Sequence, residues 1–135
     1  MDSFHLTHEQ RVLIIGDVVI LALTTAFGFA NHGTLGSAGL RILATLVPLL
    51  FAWFLISPFM GVFDSSRVND PRQIWRPFLA MVIAGPFASF LRGVLLNQPI
   101  LWVFVLVIGG FSTLALVGWR GIYLLYRMRL TTSHG

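Results

Sequence analysis

The stretch from Arg11 to Ala30, RVLIIGDVVILALTTAFGFA, is apolar over the length of a bilayer and carries one acid, Asp17. About 20 mostly apolar residues at ~1.5 Å each are enough for a membrane-crossing helix. An ionised carboxylate within such a helix costs at least ~2.5 kcal/mol against lipid, so Asp17 must face protein or water. The remaining sequence therefore has to supply the other walls of a bundle and a partner for this charge.

Composition agrees with a membrane setting. Of 135 residues 56% are apolar and 10% charged, with a mean hydropathy of +0.84; a soluble domain carries about 25% charged residues. All nine basic side chains are Arg, spread over the ends of apolar runs. They form no basic stripe interleaved with stacking aromatics, which argues against a nucleic-acid partner. The absence of Cys removes disulfides and thiol chemistry. Gly28-Phe29-Ala30 resembles a signal-cleavage site, but the leader carries Asp2 and Glu9 and the apolar run is longer than a signal core, so the segment reads as a retained span.

Apolar runs predict four spans, at about 12–30, 40–63, 77–96 and 100–119, followed by an interfacial tail over 120–135. Gly-rich residues 31–39, the polar segment Asp64–Arg76 and Asn97-Gln98-Pro99 supply the connections. The expected fold is all-α: a single polytopic membrane domain of four transmembrane helices in an up-down bundle. Arg11, Arg67, Arg72, Arg76, Arg120, Arg127 and Arg129 then share one side, and Arg41 and Arg92 the other. That asymmetry predicts a multi-pass protein of the cytoplasmic membrane with both termini in the cytoplasm.

Helical spacing collects one small or polar face per span: Asp17, Thr24, Gly28 and Asn31; Arg41, Thr45, Pro48 and Ala52; Gly85, Ser89 and Arg92; Gly109, Thr113 and Arg120. Gly28, Gly85, Ser89, Gly109 and Thr113 are expected to pack helices closely, with hydroxyls bonding across. Depth pairs the charges. Asp17 lies about 7–9 Å into its span, and Arg120, about 30 Å along the fourth, returns to the same side, so the two form an expected intramembrane pair. At the other end His32, Arg41 and Arg92 form an expected polar cluster suited to an anion or lipid head group, unless the two Arg simply snorkel to the interface. No phosphate loop, nucleophile elbow or HExxH is present, and His5-x-x-His8 lacks further ligands, so neither a catalytic nor a metal site is expected.

Gly16-Asp17 in the first span, Gly28-x-x-x-His32 at its exit, Arg92 late in the third and Gly118-Trp119-Arg120 closing the fourth resemble an uncharacterised family of small four-span membrane proteins of bacteria and archaea. The resemblance covers about residues 12–120. Relatives often carry a basic residue between that Gly and His, where this chain has Phe29-Ala30-Asn31. It implies a membrane fold and brings no activity.

Three functions fit these readings. The first is a non-enzymatic subunit or assembly partner of a larger membrane complex, or a homo-oligomer. The second is a small oligomeric transporter with Asp17 as coupling carboxylate. The third is a pigment, quinone or haem binding subunit, favoured by 13% aromatic content and His32. No particular cofactor is implied.

Overall fold

The computed structural model describes residues 6–31, 39–64, 66–67 and 70–133. The described elements are four α-helices and two short 3-10 turns: α1 His8–Asn31, α2 Gly39–Ile56, α3 Trp75–Leu96 and α4 Trp102–Ser133, with turns at Ser57–Met60 and Pro71–Gln73. All four helices are long and apolar enough to cross a membrane. They pack in a ring in which each helix touches the next and α4 returns to α1.

Local chemistry sets the helix ends. Thr7 and Gln10 cap α1 reciprocally: the Thr7 amide donates to Gln10 Oε1 at 3.0 Å and the Gln10 amide to Thr7 Oγ1 at 3.2 Å. Pro58 cannot continue α2, so the helix tightens into the 3-10 turn, which Gly61 closes at φ 68°, a conformation that favours glycine. The second span accordingly stops being α-helical at Ile56, short of the 63 expected. Asp70 caps the next turn by accepting from the Arg72 amide at 2.9 Å. Asn97 ends α3 in the left-handed region, with the Gln98 amide returning to Gly93 O at 3.0 Å. The expected interfacial tail continues α4 in helical form as far as Ser133.

The N-terminal end of α1, the 61–74 connection and the C-terminal part of α4 gather at one end of the bundle. Glu9 pairs with Arg127, and Gln10 Nε2 donates to Phe63 O at 2.8 Å. Leu21, Leu49, Trp53, Met81, Ala84 and Leu116 fill the centre with no solvent exposure. Ile15, Val19, Leu23, Leu106, Leu114 and Ile122 cover the outside. In water such a surface is untenable; in lipid it is the ordinary one.

The small residues behave unequally. A Cβ at Gly85 would stand 3.2 Å from Gly109 Cα, so α3 and α4 approach almost backbone to backbone there. Ser89 and Thr113 are buried in the same seam, but their hydroxyls donate to carbonyls of their own helices, Gly85 O at 3.0 Å and Gly109 O at 2.6 Å, rather than across. Gly28 packs against nothing: it is exposed, with open space where a side chain would go. The buried line of α1 is Leu13, Asp17, Leu21 and Thr25, not the Asp17–Thr24–Gly28 line expected. Burial follows the i, i+4 ridge, which is inclined to the helix axis, so the face of α1 rolls toward Thr25 and leaves Gly28 outside.

Candidate functional site

Asp17 is completely buried in α1 and is held by α2 and α4. Arg120 forks onto it, Nη2 donating to Oδ2 at 2.6 Å and Nε to Oδ1 at 3.1 Å. Two indoles complete the shell: Trp53 Nε1 donates to Oδ2 at 3.2 Å and Trp119 Nε1 to Oδ1 at 3.1 Å. A carboxylate offers about four lone-pair sites, and here each oxygen accepts two N–H groups. The shell suits the ionised acid, since every neighbour is a donor and none is an acceptor for an acid proton.

The backbone explains how these groups meet. Trp119 and Arg120 are consecutive on α4, and both donate to Asp17. Gly16 makes room for the first: a Cβ there would overlap the Trp119 indole. Arg120 is itself buried, so its remaining donors need partners. Nη1 donates to the carbonyl of Val62, in the turn after α2, at 3.1 Å, and Cζ lies 5.1 Å from the Phe63 ring centroid. Phe63 stacks on Phe54 at 6.0 Å and meets Trp53 edge-on at 6.4 Å, closing the pair from that side. On the loop side of Arg120 lies a cavity of about 20 Å³ bordered by Gln73, Arg76 and Tyr123, room for a water molecule.

Of the expected outer cluster the described residues hold only the two Arg. His32 lies outside them, and Arg41 is exposed at the start of α2. Arg92 is half-buried and donates through Nε to Thr45 Oγ1 at 2.9 Å. Thr45 in turn donates to the Arg41 carbonyl at 3.0 Å, so its hydroxyl links Arg92 to the backbone of Arg41. Among the described residues no group of three His, Cys, Asp or Glu side chains is placed to hold a metal ion.

Sequence reasoning missed Trp53 and Trp119. The signal was available in the arithmetic of the acid: one guanidinium leaves two carboxylate lone pairs to fill, and Trp119 adjoins Arg120.

No curated protein and no solved structure matches the chain. Residues 14–123, which hold Asp17, both indoles and Arg120, match the family described as Protein of unknown function (DUF3054), and the chain belongs to that family.

Proposed function

We propose that the protein is a non-enzymatic, multi-pass protein of the cytoplasmic membrane, with both termini cytoplasmic, that serves as an assembly partner in a larger membrane complex. The observation that carries this reading is the commitment of Asp17. Its carboxylate is buried and saturated by four N–H groups of its own chain, which suits a lock that holds α1, α2 and α4 in register. A coupling carboxylate needs access to a proton or substrate, which such a shell withholds.

The outer face of α4 supplies the surface for a partner. Gly110 and Gly118 are exposed, with no atom near where a Cβ would stand, and Val103, Leu106, Leu114 and Ile122 extend the same helix's apolar exterior. Small residues on a lipid-facing helix admit the close approach of another helix. The start of α1, the C-terminal part of α4 and the Arg-rich connection share one end, and seven of the nine Arg lie on that side, which supports its cytoplasmic placement.

Gentle solubilisation of native membranes and purification through this chain tests the reading. A stoichiometric companion is expected, and Gly110→Leu with Gly118→Leu should release it while the bundle stays folded. A chain that purifies alone, or a companion indifferent to both substitutions, contradicts it.

A further inference from the structure

The end of the bundle remote from Asp17 is built differently. Around residues 24–29 of α1 and 104–111 of α4 the helices part about a cleft of about 460 Å³. Its walls are mainly apolar and aromatic, including Phe27, Phe104 and Phe111, and Gly28 leaves one side open. One charged group borders it, the guanidinium of Arg92. Thr45 holds that group through Nε, and the Phe104 ring holds it from one face, with Cζ 4.4 Å from the ring centroid. Nη1 and Nη2 have no acceptor among the described residues. Every described acid, Glu9, Asp17, Asp64 and Asp70, belongs to the other half of the bundle or its loop, while Arg41 adds exposed positive charge at this end.

A guanidinium fixed on one edge and free on the other presents a fork matched to phosphate oxygens. An apolar slot beside it, opening toward lipid, requires a hydrocarbon occupant. We propose that the cleft binds an anionic phospholipid, with the lipid phosphate on Nη1 and Nη2 of Arg92 and one acyl chain between α1 and α4 against Phe27, Phe104 and Phe111. The site needs no partner protein on α4 and stands apart from that role.

Native mass spectrometry of the full chain in detergent, titrated with phosphatidylglycerol, phosphatidylcholine or inorganic phosphate, tests this. One retained phosphatidylglycerol per chain is expected, preferred by roughly tenfold or more over phosphatidylcholine, whose choline cation offsets the charge of its phosphate beside Arg92 and Arg41. Arg92→Gln should abolish the preference. Gly28→Phe, which grows into open space, should abolish retention without moving the thermal midpoint, and it decides the matter if Arg92→Gln fails to fold. Equal retention of both lipids, or retention unaffected by Gly28→Phe, overturns the proposal. Release of phosphatidylglycerol by inorganic phosphate alone would make this a free-anion site and also overturns it.

Discussion

Two guanidiniums divide the molecule. Arg120 is buried, forks onto Asp17, donates to Val62 O and lies near the Phe63 ring. Arg92 is half-buried, has one hydrogen bond to Thr45 and borders a cleft. Both cations sit in membrane-crossing helices, yet one is consumed by the fold and the other, among the described residues, is held with its terminal nitrogens unspent. The difference lies in what surrounds them. Around Arg120 the chain provides an acid, a backbone carbonyl and two indoles that fill the acid's remaining lone pairs; around Arg92 it provides a hydroxyl, a phenyl ring and space. A guanidinium with all three nitrogens engaged is structural material, and one with both terminal nitrogens spare is an invitation to a ligand.

Substitutions should separate the two ends. Arg120→Met strands a buried carboxylate and is expected to cost about 3–5 kcal/mol of stability, or to prevent accumulation of the folded chain. Denaturant titration in detergent measures it, and a cost no larger than that of Arg92→Met would erase the contrast. Trp53→Phe keeps most of the packing but removes one donor from Asp17 Oδ2, for an expected loss of about 1–3 kcal/mol by the same assay. Gly28→Leu, into open space, should change stability by no more than about 0.5 kcal/mol, although Gly85→Leu at the Gly109 crossing should cost about 1–3 kcal/mol. Equal responses of the two glycines would show that the cleft is not open.

The smallest effect belongs to the loop. Asp64 accepts from the Ser66 hydroxyl at 2.8 Å and its amide at 3.0 Å, which hold its carboxyl below the usual carboxylate range. Its folded pKa is depressed, so its contribution is present above the unfolded value and is lost as pH falls through the folded one. Ser66→Ala should move that titration upward, as followed by NMR of the side-chain carboxyl. An unmoved midpoint would show that the hydroxyl does not hold the acid.

Much of this was legible beforehand. Apolar run length alone gives the four helices, because a bilayer needs about 20 residues per crossing. Asp17 and Arg120 could be paired by counting depth along antiparallel helices. Helix rotation was harder. Viewed down the axis of α1, Gly28 lies almost in line with Asp17, but packing follows an inclined ridge, so Thr25 is buried and Gly28 is not. The end of α2 was misjudged because hydropathy continues through Phe59, Met60 and Val62 even though Pro58 and Gly61 end the helix. The hydroxyls of Ser89 and Thr113 turn back to their own carbonyls because, at that crossing, the backbones leave no gap to bridge.

The lock on Asp17 is tested most directly by a double-mutant cycle with Asp17→Asn and Arg120→Gln, read as unfolding free energy of the intact chain. A locked pair predicts strong non-additivity: the double variant should be less destabilised than the sum of the singles by about 2–3 kcal/mol. Single effects that add to within about 0.5 kcal/mol would contradict it, and with it the structural role assigned to the buried carboxylate.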